Sequence, residues 1–151
     1  MMAAMTSTGF DVAVDEAIKG RDEGGIPIGS ALEVDGAIVG RGHNRRVQRG
    51  SAILHGEMDA LDDAGRLSAR EYRRATIYTT LSPCIMCTGA ILLYEIPRVV
   101  IGENRSFMGA EDLLRSRDVD VQVVDDRRCI NLMARFISDH PHLWNEDIGE
   151  E

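Results

Sequence analysis

Lysine is almost missing from this chain. Lys19 is the only one, so arginine carries nearly all of the positive charge. The 17 basic residues are outnumbered by 25 acidic ones, leaving a formal net charge of −8. A surface of that balance repels a phosphate backbone and argues against tight, sequence-independent nucleic-acid binding, although it leaves room for a local basic patch. Long apolar runs are missing as well. None approaches the ~18 residues that a membrane-spanning helix needs, and the richest, Ala90 to Tyr94, suits a buried helix. The opening MMAAMTSTGFDVAVDEAIKG lacks a cationic start and is soon interrupted by Asp11, Asp15 and Glu16, so it does not read as a secretory signal. Cysteine is scarce and odd in number, three in 151 residues. With no export signal, the Cys84-x-x-Cys87 pair points to metal or redox chemistry before disulfides, and the expected compartment is the cytoplasm.

What remains is one domain's worth of material. At 44% hydrophobic the chain can build a core without disulfides, and its 28% charged fraction is that of a folded protein. Residues 1–9 read as a flexible leader, and residues 10–151 as a single domain. Phe10, Val14, Ala17 and Ile18 share one face of a first helix, which Gly24-Gly25 ends. Ile26 to Val34 and Ala37 to Arg41 read as strands joined by a hairpin turn at Asp35-Gly36. Leu54, Met58 and Leu61 mark a second helix. Ala75 to Thr80, Arg98 to Gly102 and Val119 to Val124 are further strands, and an apolar helix follows Ser82-Pro83 as far as Tyr94. Ile130, Met133, Ala134 and Ile137 form one face of a late helix, with a short terminal helix expected after Pro141. The order α-β-β-α-β-α-β-α-β-α predicts an α/β fold in three layers, one mixed sheet with helices on both faces.

Two short segments carry the chemistry: His55-Gly56-Glu57 and Pro83-Cys84-Ile85-Met86-Cys87. Each is expected at the start of a helix. Ser82 is a good N-cap and Pro83 a good first helical residue, which puts Cys84 and Cys87 on one helix face. The free N–H groups and dipole of a helix N-terminus favour thiolate over thiol. Two thiolates and one imidazole suit tetrahedral zinc with a fourth position left for water. Glu57, two residues from His55, is placed to act as a base without being a ligand. The pattern H-x-E…P-C-x-x-C is the established signature of zinc nucleobase deaminases. Cys129 has no metal-spaced neighbour and reads as a packed thiol. His43 is expected at a strand end, and His140 and His142 in solvent.

Beyond these segments the chain resembles the fungal cytosine deaminases of the small zinc-dependent cytidine deaminase superfamily, from about Phe10 to Glu150. The shared stretches include Gly24-Gly25-Ile26-Pro27-Ile28-Gly29, Gly40-Arg41-Gly42-His43-Asn44, Leu54 to Glu57, Tyr78 to Cys84, Cys87-Thr88-Gly89-Ala90, Ile96-Pro97-Arg98, Gly102-Glu103-Asn104 and Trp144 to Gly149. The resemblance implies a central mixed five-stranded sheet in a three-layer α-β-α sandwich, a homodimer and one Zn2+ per chain. It further implies His55, Cys84 and Cys87 as ligands and Glu57 as proton shuttle. Asn44 and Asp147 would bind the polar edge of a pyrimidine, beside Gly56. Ile26, Phe107, Trp144 and Ile148 would enclose the ring, the last two on a C-terminal lid. The implied reaction is hydrolytic deamination of cytosine to uracil and ammonia, with a nucleobase as small-molecule substrate and no membrane.

The family pattern is broken in two places. Asn145 stands where the fungal ending has an aromatic residue, and Met108 to Leu114 is different and one residue shorter. Related rings therefore stay open as substrates: isocytosine, a 5-substituted cytosine or a creatinine-like cyclic amidine. A tRNA adenosine deaminase would use the same zinc and glutamate but needs a basic surface, for which Arg41, Arg45, Arg46, Arg49, Arg66, Arg70, Arg73 and Arg74 are the candidates. A non-catalytic zinc module would not need Glu57 and would fill the fourth position with another Cys or His.

Overall fold

The computed structural model describes residues 2–150, with side chains from residue 8 onward. In chain order the elements are α1 (Met2–Asp22), β1 (Gly29–Val34), β2 (Ala37–His43), α2 (Arg46–Arg49), α3 (Gly56–Ala64), α4 (Ala69–Tyr72), β3 (Ala75–Leu81), α5 (Ile85–Leu93), β4 (Arg98–Glu103), α6 (Glu111–Ser116), β5 (Asp120–Val123), α7 (Arg127–Asp139) and α8 (Pro141–Asp147). The strands form one mixed sheet in the order β2-β1-β3-β4-β5. The β2-β1 and β1-β3 pairs are antiparallel, whereas β3-β4 and β4-β5 are parallel.

Strand alternation builds the three layers. Ala31, Tyr78 and Val100 are register partners and face the α1 and α7 side, where they meet Phe10, Ala13, Val14 and Cys129. Their neighbours Leu32, Ile77 and Val99 are likewise in register and face the other side, against Ile91 of α5 and Leu114 of α6. One residue along a strand reverses the face, so a single five-stranded sheet serves two separate cores. The hairpin between β1 and β2 turns at Asp35 (φ 52°) and Gly36 (φ 84°). Both positive angles belong to a type I′ turn, as the Asp-Gly pair predicts.

The leader expected over residues 1–9 overlaps the first helix. Helix α1 starts at Met2, eight residues before Phe10. Buried Gly9 is part of that helix, where a Cβ would lie 2.3 Å from the Tyr78 ring, so the backbone here packs directly on the sheet. The turn-long helices α2 and α4 are also additions to the sequence reading. No helix among the described residues is long and apolar enough to cross a membrane.

Candidate active site

The starts of α3 and α5 meet at the C-terminal end of β3. His55 is the N-cap of α3 and Cys84 the N-cap of α5, both with extended backbone. His55 Nδ1 lies 3.4 Å from Cys84 Sγ and 3.7 Å from Cys87 Sγ. A tetrahedral zinc ion with ordinary bond lengths separates a bound nitrogen from a bound sulfur by about 3.6 Å. The ligand atoms of the three residues all lie within 4.8 Å of one another. The donor set therefore fits zinc in both kind and spacing. Neither candidate for a fourth protein ligand is near. His43 is fully buried between Glu16 and Glu23, at 2.7 and 2.8 Å, and Cys129 packs against α1 on the opposite face of the sheet.

The helix that presents the cysteines begins later than expected. Its N-cap is Cys84 rather than Ser82. The Ser82 hydroxyl is otherwise engaged, donating to Glu111 at 2.7 Å and accepting from the Gly109 N–H at 2.9 Å. A Cβ on Gly109 would fall 1.8 Å from the Pro83 carbonyl oxygen, so only glycine lets the loop lie this close. These contacts, with the Arg105 and Ser106 N–H groups donating to buried Glu103, fix the loop that carries Phe107.

Charge is concentrated in a small buried space. Burial pushes the Glu57 carboxyl up to about 7, with the nearby His55 opposing. Burial works against a charged His55, but its hydrogen bond with Cys84 and the Glu57 and Asp147 carboxylates carry it up to about 8. Cys84 is held down to about 4 by the hydrogen bond from Cys87, against burial, with a further contribution from His55. Cys87 is pushed up by that same bond and by burial. Metal binding favours the thiolate form of both cysteines and releases their protons. Burial also raises Asp147, against the pull of His55, Asn44 and Arg46.

Over the ligands lies a cavity walled by Ile28, Leu81, Phe107, Trp144 and Ile148, with Glu57 and Asp147 as its carboxylates. It encloses only about 30 Å³ of water-accessible space. Trp144 is buried on α8 and meets Phe107 edge to face, ring centroids 6.2 Å apart. Asn44 Nδ2 donates to Asp147 Oδ1 at 3.1 Å, which links β2 to the end of α8. Buried Gly56 is the first residue of α3, between His55 and Glu57. A larger groove of about 440 Å³ between α1 and α7 has none of the three metal-ligating side chains.

His55, Glu57, Cys84, Cys87, Asn44, Asp147, Phe107, Trp144 and Ile148 thus come together. Ile26 does not line the cavity. A tight turn around Pro27, in which the Ile28 N–H donates to the Ile26 carbonyl at 2.8 Å, leaves Ile26 fully buried among Met133, Phe136 and Trp144. Ile28 takes the wall position instead. Arg46 is a further departure. Assigned from sequence to a surface patch, it reaches Glu146 and Asp147. Its partners lie a hundred residues away, beyond any local signal.

Residues 5–103 match the model of the cytidine and deoxycytidylate deaminase zinc-binding region. The chain is 58% identical over 143 residues to a cytosine deaminase of Candida albicans, covering 94% of this chain and 95% of that one. A tRNA-specific adenosine deaminase of Streptococcus pyogenes is 42% identical over 134 residues, covering 82% and 84%. A solved structure from work on tRNA deaminases that carry out A-to-I editing at the wobble position shares the fold, with a TM-score of 0.71, 24% identity and coverage of 83% and 99%. With a zinc-type donor set beside a buried glutamate and a family match over most of its length, the chain belongs to the cytidine and deoxycytidylate deaminase zinc-binding family.

Proposed function

We propose that this protein is a zinc-dependent cytosine deaminase, converting cytosine and water to uracil and ammonia. The observation that carries the reading is a buried glutamate next to a His-Cys-Cys set, under a small cavity with aromatic walls and a carboxylate on its rim. Bound zinc would act as a Lewis acid that makes water nucleophilic near neutral pH. His55, Cys84 and Cys87 would hold it. Glu57 accepts a proton from the attacking water and passes it to ring nitrogen N3. As the C4–N bond breaks, Glu57 takes the second proton from the new C4 hydroxyl and delivers it to the departing amine, leaving the C4 carbonyl of uracil and ammonia. Asp147 accepts from the exocyclic amino group, and the Asn44 amide donates to the ring carbonyl. Asn44 is well suited to that role because its Oδ1 is taken by the Arg46 N–H at 3.0 Å, which directs its NH2 toward the site. Phe107, Trp144, Ile28 and Ile148 sandwich the flat ring and exclude water.

The identity to the Candida albicans cytosine deaminase supports a free base over RNA. So does the fate of the arginines. Arg41 pairs with Glu16, Arg45 with Asp59, Arg46 with Glu146 and Asp147, Arg73 with Glu95 and Arg74 with Asp35, which neutralises most of the candidate basic patch. A homodimer is part of the same proposal, supported by the exposed apolar residues Ile85, Leu93 and Tyr94 on or next to α5. Free cysteines and a thiolate metal site suit the cytoplasm.

Ammonia release from cytosine, isocytosine, 5-methylcytosine, creatinine, cytidine and adenosine tests the reading, with cytosine expected to be the best substrate. Glu57→Gln should retain zinc and lose about 10²- to 10⁴-fold in turnover. Full activity in that variant would remove Glu57 from the mechanism.

A further inference from the structure

Arg46 is a half-buried cation whose side chain is 9% exposed. Its Nε donates to the Ala52 carbonyl at 3.1 Å, within its own loop. The two ends of its guanidinium grip α8. Nη1 and Nη2 meet the two oxygens of Glu146 as a fork, and Nη1 also lies 3.3 Å from Asp147 Oδ1. Asn44 donates to that same oxygen, and His55 Nε2 faces it from 3.8 Å. Among the described residues these cationic and amide contacts to Asp147 converge on Oδ1, which leaves Oδ2 for a ligand.

We propose that Arg46 is a positioning residue for deamination: its fork with Glu146 latches α8 over the cavity, and its contact with Asp147 turns Oδ2 toward the amino group of the base. The proposal rests on the deaminase reading above for its substrate and on geometry alone for the latch. An exposed ion pair is ordinarily worth little. Here Glu146 is 61% exposed, but its partner's side chain is mostly covered and the contact is two-pronged. Lifting α8 removes both carboxylates from Arg46 together, so the charge-assisted fork is lost in one step. The fork therefore biases the segment carrying Trp144, Asp147 and Ile148 toward closure, and each turnover that moves the segment has to break it.

The chain's single tryptophan is on that segment, so its fluorescence reports closure without any chemistry. In zinc-loaded protein, Glu146→Gln and Arg46→Gln should each raise acrylamide quenching of Trp144 at least about twofold and raise KM for cytosine about tenfold, the cost expected for losing a charged hydrogen bond. In Glu146→Gln, kcat should hold or rise, because the residue acts on closure rather than on the reacting atoms. Arg46→Lys keeps the charge but loses the fork, and should recover only part of the wild-type quenching and KM. The double variant Arg46→Gln/Glu146→Gln should be no more quenched than Arg46→Gln alone, since either change removes the same contact. Unchanged quenching and KM in both Glu146→Gln and Arg46→Lys would overturn the latch, as would effects that simply add. If the wild type released no ammonia from cytosine while quenching responded as described, the latch would stand and the substrate reading would fail.

Discussion

At the scale of single residues, His43 and Glu16 show how charge is held inside this fold. His43 has a carboxylate oxygen within hydrogen-bond reach of each ring nitrogen. Glu16 must also be ionised to accept from both His43 and Arg41. Burial alone would raise its pKa, yet hydrogen bonds from His43 and Arg41 hold it below its ordinary value of 4.5. The unfolded chain therefore takes up this proton first as the pH drops. The stabilisation is fully present above 4.5 and is lost as the pH falls through the lower folded value. Glu16→Gln should lower stability by about 1.5–3 kcal/mol at pH 7, because it removes the carboxylate charge that Arg41 and His43 meet. The difference in Tm between variant and wild type should narrow below pH 4.5, as thermal melts across pH would show. The metal ligands and Glu57 were legible in the sequence because their spacing is local: one turn at the start of each helix. Arg46 was not, since its meaning comes from carboxylates a hundred positions away. Nor was Ile28, because which isoleucine faces the cavity depends on a turn about Pro27 that hydropathy alone does not reveal.

At the scale of elements, the β1-β2 hairpin delivers Asn44 to the site from the end of β2. Its turn depends on two positive φ angles, and Gly36 adopts the larger. A β-branched residue there is strained by about 1–2 kcal/mol. Gly36→Val should lower stability by that amount in urea titration and leave KM for cytosine nearly unchanged, since the turn lies at the far end of the strand from Asn44. The strands were the most legible part of the fold, since runs such as Ala75–Leu81 are β-rich and bounded by clear breaks. Short helices were not. Helices α2 and α4 are four residues each, too few for a periodic pattern to declare itself. Ser82 was misjudged for a related reason. It has the chemistry of an N-cap, but Glu111 and Gly109 compete for its hydroxyl, and tertiary contacts outweighed local preference.

At the scale of the whole molecule, the outer face of α5 remains apolar. Ile85 is 68% and Leu93 70% exposed, two turns apart on one side of the helix. Gly89 lies between them, and a Cβ there would touch nothing. The proposed homodimer would bury this stripe next to the mouth of the site. Leu93→Glu should shift the protein from dimer to monomer in sedimentation velocity while preserving its far-UV circular dichroism. A wild type that sediments as a monomer at micromolar concentration would remove the proposal.

The parts of the site also follow one another along the chain in a definite succession. By Asp139 every strand among the described residues, the three candidate metal ligands and Glu57 have already been laid down, whereas Trp144 and Asp147 are still to come. A ribosome making this protein therefore lays down the proposed vessel before the segment proposed to stopper it.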